Sequence, residues 1–351
     1  MKKRRLRALC ACLVGVLICV TLLCAAQALL VPHGASANAE MCLLSDYMQA
    51  EDTATDEVVF LGDCEVYESF SPVTLWQEYG IESRVIGTPQ QLLWHSYATL
   101  CEVLERSSPR VVVLSVYALI YHEPQSEAYN RMALDALPMS GVKWQAVRAS
   151  LAEGESALSY LFPLLRYHDR WSELSWSDVT SLFAPYAPVS SRGYLVQTGV
   201  ISAASPLPDH TGALVPSDTA FGEMALDYFD RIVTLCKDKG VSLMLVKAPT
   251  DSWRYPWLDA YETQTVALAE RYGLPYYNLL KDFETIGLDM TTDSYDGGLH
   301  LNVFGAEKLS RYVGRILTEQ YTLTDTREHA ERAAAWQSEI DRYESMKEGA
   351  K

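Results

Sequence analysis

Val111-Val112-Val113-Leu114-Ser115-Val116-Tyr117 is the segment that most restricts how this 351-residue chain can fold. A strand that is apolar at consecutive positions has two faces to bury, and a parallel sheet with helices on either side covers both. The surrounding sequence keeps to that plan. Glu57 to Gly62 reads as a first buried strand, Val66 to Tyr79 as a helix, and Ser83 to Ile86 as a short strand. Gln90 to Arg106 reads as a helix with Leu92, Leu93, Tyr97, Leu100 and Leu104 on one face. Later, Thr219 to Lys239 is helical, Val241 to Val246 a strand, Ala260 to Tyr272 a helix, Tyr276 to Asn278 a short strand and Val303 to Thr318 a closing helix. Strand and helix in alternation predict an α/β fold, a three-layer α/β/α doubly wound parallel sheet over residues 56–322.

Two regions stand outside that rhythm. MKKRRLR, residues 1–7, is a basic flank, and it is followed by an uncharged, mostly apolar run from Ala8 to Val31 that Pro32 ends. The run exceeds the roughly 20 residues that cross a bilayer as a helix. The basic flank assigns the N-terminus to the cytoplasm and the rest of the chain to the outside. A cleaved signal is the rival reading, because Ala35-Ser36-Ala37 and Ala37-Asn38-Ala39 fit a small-x-small pattern; the length of the run favours an uncleaved signal anchor. Residues 32–55 read as a polar stalk. The second region, about 121–216, has many aromatics, among them Tyr160, Phe162, Tyr167, Trp171, Trp176, Phe183 and Tyr186, but no clear parallel strand. It is expected to be an insertion or cap over the C-terminal edge of the sheet, its aromatics building a subsidiary core or, alternatively, stacking on a glycan. Residues 323–351 read as a charged, solvated helix on the surface.

Charge and cysteine usage narrow the function. Without the five basic residues at the N-terminus, 24 Lys and Arg face 45 Asp and Glu, a net charge of −21. Such a domain does not attract nucleic acid or anionic phosphates; neutral or cationic polymers suit it better. Cys10, Cys12, Cys19 and Cys24 lie in the apolar run, and Cys42, Cys64, Cys101 and Cys236 are widely spaced without CxxC pairs. Neither a disulfide framework nor a zinc site is indicated. No GxxxxGK[ST], HExxH or EF-hand loop is present, so the expectation is no cofactor and no metal.

Two short segments carry chemistry. VVFLGDCEVYESF, residues 58–70, puts Cys64 where an apolar strand gives way to a helix; YDGGLHLNVFGAEKL, residues 295–309, puts Asp296 four residues before His300. A thiol at a helix N-terminus meets unpaired N–H groups and the positive dipole end, which favour a thiolate and then an oxyanion. A histidine beside it takes its proton, and a carboxylate on the far ring nitrogen fixes the tautomer. Read blandly, Cys64 is a small buried hydrophobe and His300 a loop residue. Asp293 also precedes His300, but the Gly297-Gly298 pair favours Asp296, because a glycine turn lets it curl back. Asp63 reads as structural, accepting backbone hydrogen bonds in the turn. Lys247, ending the LVKAP strand, is expected either to face an anionic substrate group or to form a surface ion pair.

The order of these segments resembles the SGNH/GDSL hydrolase superfamily, whose first block is a strand followed by Gly-Asp-Ser and whose last is Asp-x-x-His. Here the serine is a cysteine, and the acid stands one residue further back. The resemblance implies oxyanion donors from the nucleophile's own N–H and from a glycine of the second block, which matches Gly87 in VIGTPQQLLW; an ordinary turn glycine is the equal alternative. The third block departs from the pattern. Ala118-Leu119 stand where Gly-x-Asn is expected, leaving Gln90, Gln91 and Asn130 as substitutes. This departure is similar to the membrane-anchored branch of the D-alanyl-lipoteichoic acid biosynthesis protein and the alginate O-acetyltransferases. FLGDCEVYESFSP, EPQSEAYNRMALD and TTDSYDGGLHLNVFGAEKLS are also similar to clostridial SGNH-like proteins. The resemblance implies an extracytoplasmic acyl-transfer enzyme acting on a cell-surface glycan or teichoic-type polymer, beside a membrane-bound O-acyltransferase. Two other readings stay open: a carbohydrate or lipid acylesterase, and an inactive scaffold that keeps the fold.

Overall fold

Among the described residues, five short, fully parallel strands form the sheet; they are built largely of uncharged side chains, the exceptions being Arg84 and Lys247, each buried in an ion pair. The computed structural model describes residues 2–32, 37–124, 126–184, 186–203, 220–250 and 258–349. The strands are β1 (Val58–Gly62), β2 (Ser83–Gly87), β3 (Val111–Ser115), β4 (Ser242–Lys247) and β5 (Tyr276–Asn278), in the order β2-β1-β3-β4-β5. All four pairings are parallel. The period of two divides the side chains between faces. Val58, Phe60, Val111, Val113, Met244 and Val246 share one core cluster, while Val59, Leu61, Val112, Leu114, Leu243 and Leu245 are buried outside it. The Pro72–Tyr79 and Val303–Gln320 helices pack together on the cluster's side, and the Leu93–Arg106 and Glu223–Lys239 helices pair elsewhere on the sheet. This is the doubly wound α/β/α fold. Its strand order reverses between β1 and β3, and the crevice beyond the C-terminal ends of those strands is where such sheets accept ligands.

The chain divides into two compact units. One holds residues 39–153 and 188–351; the other holds the N-terminal helix, Lys2–Leu30, with residues 154–187. The insertion expected at 121–216 is therefore split, and residues 125, 185 and 204–216 of it lie outside the described residues. Nor do its aromatics build a core: Tyr160 is buried, but Phe162, Trp171, Trp176, Phe183 and Tyr186 are exposed.

Three further expectations change for local reasons. The helix expected from Val66 to Tyr79 is two helices, Cys64–Tyr67 and Pro72–Tyr79, because Pro72 cannot sit inside a helix and begins a new one behind the Ser71 cap. The supposed stalk contains a helix, Ala39–Gln49, that buries Cys42, Leu43, Leu44 and Tyr47. The C-terminal helix, Ala330–Gly349, is not merely solvated: Trp336 and Tyr343 belong to the core cluster, and the Trp336 ring stacks on Trp76 at 5.3 Å and 7°. Two aromatics seven positions apart on an otherwise charged helix were the signal for that docking.

Candidate active site

The turn after β1 is shaped by close approach. A Cβ on Gly62 would stand 2.6 Å from the Ser115 Cβ, and one on Gly87 would stand 2.8 Å from the Gly62 carbonyl oxygen, its register partner. Packing alone therefore demands glycine at 87, whatever its amide does in addition. Asp63 caps the short Cys64–Tyr67 helix through its side chain, which accepts from the Glu65 N–H, and through its carbonyl, which accepts from Val66 and Tyr67. That cap leaves the amide of Cys64 itself outside it.

At the other end, Ser294, Asp296 and a left-handed glycine pair build a tight local turn. Gly297 and Gly298 have φ of 79° and 103°, which a side chain would resist. Asp296 Oδ1 accepts from the Leu299 and His300 amides and from the Ser294 hydroxyl, and Oδ2 meets His300 Nδ1 at 2.6 Å. Asn302 anchors the turn to the next helix: its Oδ1 accepts from the Phe304 and Gly305 amides, and its Nδ2 donates to the Gly199 and Thr292 carbonyls. Asp293 is engaged elsewhere, paired with Lys308 at 2.6 Å. Between the two candidate acids, only Asp296 touches the histidine.

The two ends meet. The Cys64 thiol and the His300 ring stand close enough for each to shift the other's proton affinity. With Nδ1 given to Asp296, Nε2 is the ring nitrogen left for the sulfur. A second carboxylate, absent from the sequence reading, stands beside the ring: Glu68 Oε2 lies 3.5 Å from His300 Nδ1, and Glu68 Oε1 accepts from the Tyr295 hydroxyl at 2.7 Å. Tyr295 in turn lies parallel to the imidazole, 6.2 Å between centroids. The available signal was position. Glu68 follows Cys64 by four residues, one helical turn, amid apolar neighbours.

Electrostatics here depart from the expected poised thiolate. Burial pushes the Cys64 thiol up to about 11; His300 pulls it down, but the buried Asp63 and Glu68 charges oppose that pull. Desolvation outweighs the helix terminus, and a helix of four residues carries little dipole. His300 moves the other way. Burial lowers it, but Cys64, Glu68 and the hydrogen bond it donates to Asp296 together hold it well above its ordinary value. Burial also raises Asp63, with the Glu65 charge, to about 7 against Lys247 and His300. Lys247 corrects its expectation: it is fully buried, paired with Glu65 at 2.5 Å and donating to the Ala248 carbonyl, so it faces neither solvent nor substrate.

The substitutes for the third-block amide fare unequally. Gln91 donates to the Ser96 hydroxyl and Asn130 to the Ser150 carbonyl, so each buried amide already gives one of its two N–H groups to an internal acceptor. Gln90 is half-buried with φ of 50°, a left-handed conformation rare outside glycine, in the loop after β2. Where Gly-x-Asn was missing, the chain forms a tight turn, Tyr117–Ile120, buried throughout.

No protein-family model matches the chain, and no curated protein matches it. Among solved structures it is similar to a GDSL-like lipase from Bacteroides thetaiotaomicron VPI-5482, at 10% identity over 81% of this chain and 98% of that one, with a TM-score of 0.36. It is also similar to the lipase/acylhydrolase from Enterococcus faecalis, at 14% identity over 76% and 97% of the two chains, with a TM-score of 0.33. Likenesses so distant carry no chemistry. The class is defined by the molecule's own geometry: a doubly wound α/β protein whose only described cysteine–histidine–carboxylate chain begins at the end of β1.

Proposed function

We propose that this chain is a membrane-anchored acyl-transfer enzyme of the SGNH/GDSL type in which Cys64 carries the acyl group as a thioester. One observation carries the reading: a single imidazole, His300, is hydrogen-bonded to a carboxylate and stands close enough to a thiol that starts a helix for each to shift the other's proton affinity. His300 takes the Cys64 proton while the sulfur attacks the carbonyl carbon of an acyl ester or thioester donor. The donor's C–O or C–S bond breaks, and the leaving group receives that proton from the imidazolium. An acceptor hydroxyl then gives its proton to His300 and attacks the thioester, and the thiolate leaves. The N–H groups of Cys64 and Gly87 are the oxyanion donors, Asp296 orients the ring, and no cofactor enters. The acceptor is a cell-surface glycan or teichoic-type polymer, which the net charge of the domain suits, and the donor side is a membrane-bound O-acyltransferase on the same membrane. The single N-terminal helix long and apolar enough to span a bilayer, with its basic flank, supports an outward-facing domain.

The test is to incubate the protein with an activated aryl ester and follow its intact mass. An acyl adduct on Cys64 that hydroxylamine releases is expected, absent in Cys64→Ala and slower in His300→Ala by about a hundredfold or more. Added polyol should discharge the adduct faster than water does; discharge by water alone favours the esterase. The raised thiol favours one other reading, an inactive scaffold. It prevails if Cys64 reacts with neither the ester nor iodoacetamide in the folded protein and Cys64→Ala leaves surface acylation unchanged.

A further inference from the structure

The unit formed by the N-terminal helix and residues 154–187 presents an apolar surface to solvent. Trp171 is 71% exposed, Trp176 76%, Phe183 84% and Phe162 57%, with Leu158 and Leu165 similarly bare. So many large apolar side chains on one short segment mark a surface meant to be covered. What covers it follows from where the segment is tied. Arg170 donates through Nη1 to the Leu30 carbonyl at 2.9 Å, satisfying the C-terminal end of the long helix, and its Nη2 pairs with Asp178. The Leu164–Tyr167 and His168–Ser172 turns pack on that same end, where Leu30 is buried and Ala26, Gln27 and Leu29 are partly covered, while the helix before them is bare.

Length then fixes depth. The uncharged run from Ala8 to Val31 rises about 1.5 Å per residue, more than the roughly 30 Å of hydrocarbon it must cross, so its last turn emerges among the headgroups. A segment fastened to that turn is held at the level where tryptophan, with an apolar body and one N–H donor, is best solvated. Electrostatic attraction to anionic lipid contributes nothing, since residues 154–187 carry two arginines against four acidic residues.

We infer that residues 154–187 form a collar lying in the membrane–water interface around the exit of the helix, with Phe162, Leu165, Trp171, Trp176 and Phe183 sunk between headgroups and upper acyl chains. The occupant of the apolar surface is lipid. The inference does not depend on the acyl-transfer reading.

The experiment uses the full chain in liposomes of zwitterionic lipid, brominated either near the headgroup or near the chain end, and reads tryptophan fluorescence. Shallow bromine should quench more than deep bromine, and the double variant Trp171→Phe and Trp176→Phe should lose about half or more of the shallow quenching. Both side chains are exposed, so the variant leaves the fold intact, and the buried Trp76, Trp94 and Trp336 provide an unquenched reference. Molar salt should change nothing. The inference is overturned if the double variant is quenched as strongly as the parent. It is equally overturned if acrylamide reaches Trp171 and Trp176 in liposomes while native membranes shield them, because a protein then covers the surface instead of lipid.

Discussion

The two ends of the Cys64–His300–Asp296 chain are built on opposite principles. The cysteine end lies against the sheet core, and its charges, Asp63, Glu65, Glu68 and Lys247, are buried. They are balanced against each other across elements far apart in sequence. The histidine end is a partly exposed turn closed by bonds between residues within a span of seven, from Ser294 to His300. The consequence is visible in how the two ends hold their protons. Burial and like charges keep the thiol protonated, while His300 and local donors hold the Asp296 carboxyl, despite its own burial, below the ordinary range. Burial thus opposes ionisation at the first end, and short-range hydrogen bonds support it at the second.

Breaking the local end should have the largest effect. Asp296→Asn keeps the size of the side chain but lets Nδ1 of His300 face an amide, which removes the charge that steadies the imidazolium. Transfer from the aryl ester should fall by about a hundredfold to a thousandfold with the fold intact. A loss of less than about fivefold would mean that Glu68, the other carboxylate at Nδ1, is the working partner.

The buried end should respond in stability. Asp63 is raised in the folded state to about 7, against an ordinary value near 3.9 when unfolded. Between those two values the folded chain holds a proton that the unfolded chain has released, so stability falls as pH rises through the window. Asp63→Asn retains an oxygen for the Glu65 amide and should flatten that fall. In denaturant titrations the variant should gain on the parent by on the order of 1–2 kcal/mol at pH 8 relative to pH 4. Parallel curves for the two proteins would show that Lys247 keeps Asp63 ionised.

The smallest effect is expected where the two ends touch. Glu68 raises the Cys64 thiol, so Glu68→Gln should let the thiolate form at lower pH. Iodoacetamide labelling of Cys64 in the parent should climb toward a midpoint near pH 11, and the variant should be labelled roughly two- to tenfold faster at pH 8. Slower labelling would show that losing the carboxylate harms His300 as a base more than it frees the thiol.

Much of this was legible in the sequence because it is local. Unbroken apolar runs specified parallel strands, the Ser71-Pro72 pair marked a helix start that a purely periodic reading ran through, and the Asp-Gly-Gly-Leu-His order carried the turn that returns Asp296 to His300. The thiol misled, since dipole reasoning sees a helix terminus but not how much water the fold removes from it. Glu68 and the depth of Lys247 were hidden for the same reason: a charged side chain in a strand or helix looks alike whether its partner is solvent or a residue 182 positions away, as Glu65 is from Lys247.

What the sequence by itself determined is therefore whatever depends on near neighbours: strand and helix type, the doubly wound class, the long apolar N-terminal helix, and the Asp296–His300 pair. Only the tertiary structure decided which groups share a desolvated space. It brought Cys64 to the imidazole from the far end of the domain, set Glu68 beside it, and left Phe162, Trp171, Trp176 and Phe183 bare instead of burying them. Burial and long-range pairing are properties of the packed chain, because the cost of removing a charge or a ring from water depends on everything that surrounds it, and that is set only once the whole domain has closed.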